Sequence, residues 1–387
     1  MIRSLPISWS YFYLFLFMYR SLFSVLGEVV VMRLTNIGDT VNYQNADLLY
    51  TVGLMTTFSI DSLGAVMVIW ATLLTEFVGG VFRILFFGNP ILINIGFQTI
   101  TFVGIYLLLR SVEPRVRRPL ALLFLSPSFT LWTSIATKES IVVFLICVIS
   151  TYLVGIYYNR ERLGVHHVAA FVLLYIYKPH FLAAVAFLVA GTKIAKAMRQ
   201  KTAIAVLGIA LSMAVLYVYR DAIDRYALQV TEWLSSDKGQ STREPYLVET
   251  YDVFVKAPYG MLQSFVGPTV SEASRGVLHL FSFIEAVIMI ALLGYFVVRE
   301  LPRLPVYSLV LGLGTTFWIV FATYPFGMPN PGSAVRYRTD YVVLVFVAVV
   351  FLLSRDLYVS WRLGIRRGPE RRGRPVRIAG PPPVGPR

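Results

Sequence analysis

The chain has 387 residues, of which 57% are hydrophobic and only 14% are charged, and its formal net charge is +14. Because soluble domains carry roughly 25% charged residues, this composition excludes an ordinary soluble protein and indicates an integral membrane protein. The single Cys147 lies in an apolar run and supports neither a disulfide nor a metal cluster, and the four histidines show no metal-ligand spacing. The sequence therefore predicts no metal ligands and no cofactor, although a divalent metal stays open.

The positive charge is concentrated in short segments between apolar runs. Much of the excess lies in 115–118, in 193–201 and in the tail 362–387. Lys and Arg gather in this way in loops on the cytoplasmic side of a membrane. The distribution argues against a nucleic-acid partner and favours the lipid bilayer.

The apolar runs predict an all-helical integral membrane protein with about ten transmembrane helices and outer interfacial helices. The first run follows Arg3 and shows no small-residue cleavage site, so this span is expected to stay attached. The predicted spans are 8–32, 90–110, 118–135, 139–158, 165–177, 180–192, 203–219, 277–298, 304–325 and 340–358.

Two stretches decide the predicted topology. The segment 62–87 is apolar but carries Glu76 and Arg83, and it keeps all basic loops on one side only if it lies along the interface or re-enters. The stretch 165–192 is expected to divide at Lys178, because Pro179 breaks a helix and the charge is costly at its centre.

These choices place both termini in the cytoplasm and every conspicuous polar cluster on the outer face. Residues 1–361 form the predicted membrane domain, and the basic, Pro/Gly-rich tail 362–387 is expected to be disordered. The tail is expected to act as a lipid anchor or, alternatively, as a partner-binding segment. The predicted outer segments are 33–89, the turn 134–139, 177–180 and the loops 220–276 and 326–339.

The first polar cluster follows the first span in the motif Gly38-Asp39-Thr-Val-Asn-Tyr43, with Asp47 four residues further on. If 40–50 is helical, Asp39, Tyr43 and Asp47 share one face. Asp39 suits a general base that deprotonates a hydroxyl acceptor, and it equally suits the N-cap of a short helix. Both roles stay open and can coexist.

The second cluster is Lys138-Glu139, which precedes a long apolar run. An ammonium beside the free amides of a helix N-terminus makes a phosphate site. Alternatively, Lys138 extends to lipid headgroups and Glu139 caps the helix.

The third cluster is Lys178-Pro179-His180, between two short predicted spans. A buried lysine needs an anionic partner, either a ligand phosphate or a carboxylate such as Asp39 or Glu139. His180 is expected to be a hydrogen-bonded structural residue or part of the substrate site.

The fourth cluster, Arg336-Tyr337-Arg338, enters the last predicted span from the outside. Arginines on the outer face are out of place by the positive-inside rule, so an anion is expected to offset them. That anion is a phosphate, which Arg binds bidentately, or an acid such as Asp340. Arg20 and Glu28 in the first span are interpreted as structural partners of another span.

The order of these motifs resembles the GT-C superfamily of polytopic glycosyltransferases, which use polyprenyl-phosphate-linked sugars. The similarity is closest to the protein-mannosyltransferase and aminoarabinose-transferase branch and to members of bacterial polysaccharide clusters, and it covers roughly residues 1–195. The matching motifs are Gly38-Asp39-Thr-Val-Asn-Tyr43, the segments 46–57 and 62–87 as juxtamembrane helices, Phe87-Gly88-Asn-Pro-Ile, Pro127-Ser-Phe…Trp132-Thr-Ser with Lys138-Glu139, and Tyr177-Lys178-Pro179.

The resemblance implies a bacterial inner-membrane enzyme with a helical bundle and a cleft open to lipid. It implies inverting transfer of a sugar from its phosphate to a glycan or lipid acceptor on the outer face. Asp39 corresponds to the family's catalytic acid, the phosphate role falls to Lys178 or Lys138, and Arg336 and Arg338 offer a second anion site. The chain departs from the family where Thr40 stands in place of a second acid, and no later acidic metal pair is visible.

Two other functions fit parts of the pattern. Polymerases of lipid-linked oligosaccharide repeats share the architecture and use outer-loop arginines, which Arg336 and Arg338 also match. A lipid-sugar flippase or a non-catalytic export scaffold is the third alternative. A translocator needs polar groups along its whole path, whereas the predicted clusters lie in the outer half.

Overall fold

A computed structural model gives the fold and describes residues 9–34, 38–57, 63–112, 114–157, 162–197, 201–235, 243–244, 246–300 and 306–353. Within these ranges every regular element is a helix, which confirms the all-helical class. The predicted tail 362–387 and the end of the predicted span 340–358 lie outside the described residues.

The described helices are numbered in chain order, and a π-helical turn, Gly27–Val31, follows the first of them. They are α1 Trp9–Leu26, α2 Met32–Leu34, α3 Gly38–Gln44, α4 Leu48–Thr57, α5 Leu63–Leu85, α6 Pro90–Ser111, α7 Pro114–Phe124, α8 Pro127–Trp132, α9 Lys138–Tyr157, α10 Val165–Tyr177, α11 Pro179–Ala197, α12 Lys201–Val218, α13 Arg220–Ser235, α14 Asp252–Val255, α15 Ala257–Val266, α16 Val270–Ala273, α17 Val277–Glu300, α18 Val306–Gly327 and α19 Pro331–Leu353.

Several of these helices have the length and apolar character of membrane spans. Among the described residues four qualify outright: Trp9–Val31, Pro90–Ser111, Lys138–Ile156 and Leu309–Gly327. A fifth results if Thr202–Val218 and Arg220–Glu232, bent by 70°, form one broken span. Membrane character is therefore supported, whereas the expected ten spans are not confirmed.

The structure corrects the predicted span 118–135. Two short helices, α7 and α8, replace it, and they meet at Ser126, which has extended backbone angles of φ −59° and ψ 125°. Pro127 begins α8, and a proline disfavours helical angles in the residue before it. Neither piece is long enough to cross the roughly 30 Å hydrocarbon core.

The two predicted outer loops also contain helices. The segment 220–276 holds α13 to α16, and α19 begins at Pro331, inside the predicted loop 326–339. The two outer helices expected in 46–57 and 62–87 correspond to α4 and α5, and the interfacial position of α5 remains a prediction.

The break expected at Lys178 is confirmed, because α10 ends at Tyr177 and α11 begins at Pro179. The continuous helix considered for 40–50 is wrong. Helix α3 ends at Gln44 and α4 begins at Leu48, so Asp47 does not share a helical face with Asp39 and Tyr43.

Helix α9 lies at the centre of the bundle, with 83% of its candidate span buried, and it packs against α6, α10 and α19. Gly104 allows α6 to approach closely, since a Cβ there would lie 2.9 Å from Cα of Phe144. Lys138 and Glu139 open α9, and Arg336 lies in the first turns of its neighbour α19. The central packing therefore brings two of the predicted polar clusters together.

Candidate functional site

Helix α3 carries Asp39 in its first turn and Tyr43 one turn later. The side chain of Asp39 is 53% exposed, whereas Tyr43 is buried against the bundle. Helix α5 packs beneath α3 at Gly79, where an added Cβ would overlap the carbonyl oxygen of Tyr43. The exposed carboxylate thus stands on a short helix that is held by close backbone packing.

A buried polar hub fixes the other end of α3. Gln44 Nε2 donates hydrogen bonds to Glu28 Oε2 at 2.7 Å and to Asn94 Oδ1 at 3.1 Å, and Asn94 Nδ2 donates to Glu28 Oε2 at 3.0 Å. Asn94 Oδ1 also accepts from the amide of Ala136, at 2.9 Å, in the turn before α9. The hub links the first span, α3, α6 and this turn, and it confirms that Glu28 has a partner on another apolar helix, Asn94 on α6.

Arg336 joins two carboxylates that the sequence placed in different clusters. Its Nη1 and Nη2 each lie 3.2 Å from Asp39 Oδ2, and its Nε lies 2.8 Å from Glu139 Oε1. The Nε contact is an ion pair rather than an aligned hydrogen bond. The Glu139 side chain is only 1% exposed, so its charge requires this arginine. Arg336 therefore connects an exposed acid to a buried one.

Lys178 pairs with Asp340 rather than with Asp39 or Glu139. Its Nζ lies 3.1 Å from Asp340 Oδ2, and the Asp340 side chain is fully buried. The ring of Tyr337 lies 4.4 Å from the same nitrogen. A protein carboxylate thus meets the need for an anionic partner, although it is not one of the two proposed from the sequence.

Lys138 differs from Arg336 and Lys178 in its hydrogen-bond and ion-pair partners. Its Nζ donates to Thr72 Oγ1 at 2.7 Å, and no ion pair joins it to a carboxylate within the described part of the chain. It interacts electrostatically with Asp39, Lys178, Glu139 and Arg336, and also with Glu76 on α5. Lys138 is therefore the cation best placed to accept an additional anion.

We define the charged site as Lys138, Lys178 and Arg336 together with the three acids Asp39, Glu139 and Asp340. Its charges balance in number, and Asp39 is the acid that reaches solvent. Over the described ranges, no group of three or more His, Cys, Asp or Glu side chains lies together as a metal site requires.

Two predicted substrate residues lie outside the charged site. Asp47 caps α4, since its Oδ1 accepts from the amides of Leu49 and Tyr50 at 2.9 and 3.1 Å. Arg338 is buried on the other side of α19, where Nη1 donates to the carbonyls of Phe265 and Gly267 at 3.1 and 2.9 Å. The joint anion site of Arg336 and Arg338 is therefore wrong, because residues two apart on a helix point in nearly opposite directions.

His180 and Tyr337 lie beside the charged site in a group of aromatic rings. The His180 ring stacks on Phe326 with centroids 5.6 Å apart, and Tyr337 contacts Phe326 at 5.3 Å. Phe326 and its neighbour Tyr226 were not singled out from the sequence. Their signal is weak, because aromatic residues make up 14% of the chain.

An ion pair in the segment after α13 anchors that segment to the end of α18. Arg243 Nε and Nη2 bind Glu272 Oε1 and Oε2 at 2.5 and 2.8 Å, and Arg243 Nη1 donates to the carbonyl of Met328 at 3.0 Å. Burial opposes ionisation of Glu272, but the hydrogen bonds from Arg243 and Thr269 prevail and lower its pKa to about 2. This anchor precedes α19, the helix that carries Arg336.

Two cavities lie near α17. The larger, of about 440 Å³, is lined mainly by apolar residues between Val270 and Phe283, and the smaller, of about 10 Å³, lies between Glu285 and Arg338. Neither is lined by a residue of the charged site. The Asp39 carboxylate therefore lies outside both of these cavities.

No family model, curated protein or solved structure matches the chain.

Proposed function

We propose that the protein is a membrane glycosyltransferase that takes a polyprenyl-phosphate-linked sugar as donor on the non-cytoplasmic face, in the synthesis of a cell-envelope glycan or polysaccharide. The observation that supports this most is the exposed Asp39 carboxylate, which Arg336 holds within the electrostatic range of Lys138, a cation that makes no ion pair with a described carboxylate. An acid and a cation placed together match the two charges that change during transfer from a phosphate: a proton leaves the acceptor and negative charge grows on the leaving group.

In this mechanism Asp39 is the general base. It removes the proton of the acceptor hydroxyl as that oxygen attacks the anomeric carbon of the donor sugar. The bond from the anomeric carbon to the phosphate oxygen breaks, and polyprenyl phosphate leaves with the electron pair. Attack opposite the leaving group inverts the anomeric configuration.

The cations have different tasks. Lys138 stabilises the charge that develops on the leaving phosphate, since its Nζ is bound to a hydroxyl alone and keeps two further hydrogens for phosphate oxygens. Arg336 orients Asp39 through Oδ2, and no described residue donates to Oδ1, which is left for the acceptor proton. Lys178 is neutralised by its buried ion pair with Asp340. Its main task is to hold the ring of Tyr337 in place through a cation–π contact.

The test is transfer in proteoliposomes with a panel of polyprenyl-phosphate and polyprenyl-diphosphate sugars, comparing wild type with Asp39→Asn. Loss of a general base costs about 10²- to 10⁴-fold in rate, so Asp39→Asn is expected to lose transfer to that extent while folding and lipid binding persist. Asp47→Asn is the matched control, because Asn also caps a helix and Asp47 lies on the same segment. Full activity of Asp39→Asn would refute the assignment of the base.

The size of the product separates the alternatives. A single added sugar supports the transferase, whereas a ladder of long products would assign a polymerase of lipid-linked repeats. If no donor yields product and lipid-linked sugar is moved across the bilayer or merely bound, the proposal gives way to a flippase or a scaffold.

A further inference from the structure

Four aromatic rings form a continuous group next to the charged site. Phe326 is at its centre, with centroid distances of 5.6 Å to His180, 5.3 Å to Tyr337 and 6.2 Å to Tyr226. The planes of His180 and Phe326 are 19° apart, so these two rings stack. We call these four residues the aromatic cluster.

The aromatic cluster is assembled from four helices and adjoins the charged site directly. Tyr226 lies on α13, Phe326 near the end of α18, His180 at the start of α11 and Tyr337 on α19. Tyr337 belongs to both groups, because its ring lies 4.4 Å from Lys178 Nζ. A ligand that reaches the charged site along this surface therefore meets the aromatic rings.

The exposure of these rings distinguishes them from core aromatics of the same helices. Tyr324 on α18 and Tyr341 on α19 are fully buried, whereas His180, Phe326 and Tyr337 are half-buried residues and Tyr226 is 51% exposed. The hydroxyl groups of Tyr226 and Tyr337 make no hydrogen bond to another described residue, and Tyr226 is the one that reaches solvent.

We infer that the aromatic cluster is a subsite for a pyranose ring, an inference that rests on the proposed glycosyl transfer. One face of a pyranose presents C–H groups, which pack on aromatic faces through dispersion and electrostatic attraction, while its edge carries hydroxyls that need hydrogen-bond partners. The cluster supplies both, since the stacked rings of His180 and Phe326 lie next to Tyr226 and Tyr337, whose hydroxyls no described residue binds. An alkyl chain would use the rings but not these polar groups.

The first measurement is the binding of methyl glycopyranosides to the purified protein, monitored by saturation-transfer NMR. This binding does not depend on catalysis. Loss of one aromatic contact is expected to raise the Kd about 2- to 12-fold in Tyr226→Ala. Tyr226→Phe, which keeps the ring, should stay closer to wild type. Tyr219→Ala is the matched control, since Tyr219 is 60% exposed just before α13 and lies outside the aromatic cluster. Tyr226→Ala binding equal to that of this control would overturn the inference.

A second series identifies the source of the ring and separates the two proposals. Weaker binding of the donor but not of polyprenyl phosphate without sugar would assign the donor sugar, and a raised KM for the acceptor alone would assign the acceptor glycan. Equal weakening for the sugar-free lipid would replace the pyranose subsite with a lipid contact. If Tyr226-dependent saccharide binding occurs but wild type transfers no sugar from any donor, the subsite stands and the proposed transferase activity fails.

Discussion

The buried ion pair of Lys178 and Asp340 offers a quantitative test of the interior of the site. At a separation of 3.1 Å and an effective dielectric constant of about 20, the attraction is about 5 kcal/mol. The loss of hydration of both charges offsets much of it, so the pair contributes little net stability. Removing one partner is different, because the remaining charge stays buried without compensation.

We therefore expect Asp340→Leu to lower the free energy of unfolding by about 3–5 kcal/mol, near the lower value because Glu139 also interacts with Lys178. The double variant Lys178→Met/Asp340→Leu should recover most of this loss, since it leaves no unpaired charge. The measurement is reversible unfolding in mixed micelles for wild type, both single variants and the double variant.

The pair of Arg220 and Asp221 is the control. It is separated by 3.6 Å, and its side chains are 40% and 61% exposed. Solvent screens this pair and the exposed hydrogen bond from Tyr251 to Asp221, so Asp221→Leu should change stability far less than Asp340→Leu. If Asp340→Leu costs no more than Asp221→Leu, or if the double variant is as unstable as the sum of the single ones, the assigned role of the buried pair is wrong.

Two further predictions concern the positioning of the site. Gly79→Ala is expected to displace α3 and to lower both stability and transfer, because the added Cβ would overlap the carbonyl of Tyr43. Gly53→Ala is the control: no described atom lies within 4 Å of its added Cβ, so this variant should be neutral or stabilising by up to about 1 kcal/mol. Thermal unfolding and transfer assays on both variants compare them, and equal behaviour would contradict close packing at Gly79. The carboxylate of Glu272 has a pKa of about 2 in the folded protein against its usual 4.5, so its stabilising effect is complete above pH about 4.5 and is lost as the pH falls toward 2. Glu272→Gln should lack this part of the pH dependence of stability, and an unchanged acid profile would show that the pair with Arg243 does not anchor the segment.

Local chemistry made part of the site predictable from the sequence. Pro179 has no amide hydrogen and cannot continue a helix, so the break at Lys178 followed from residue type. The expectation that Lys178 and Arg336 need anionic partners followed from the cost of leaving charges in lipid.

The partners of these charges could not be predicted in the same way. Lys178 pairs with Asp340, and Arg336 pairs with Asp39 and Glu139. These pairs depend on how the helices pack, because the packing determines which side chains of different helices lie close together. The joint anion site of Arg336 and Arg338 was predicted wrongly because 326–339 was interpreted as a loop. In the structure a helix begins at Pro331, and residues 336 and 338 lie on opposite sides of that helix. Asn94 and Gln44 carried a usable signal, as amides within or beside apolar runs that need buried partners.

The contact between Arg336 and Asp39 joins residues 297 positions apart. At typical synthesis rates of 5–20 residues per second, about 15 to 60 s separate the appearance of these two residues on the ribosome. During that interval Glu139 and Lys178 are synthesised before their charged partners Arg336 and Asp340. The acids Asp39 and Glu139 and the cation Lys178 therefore precede their charged partners during synthesis, and these three ion pairs form only after α19 has been made.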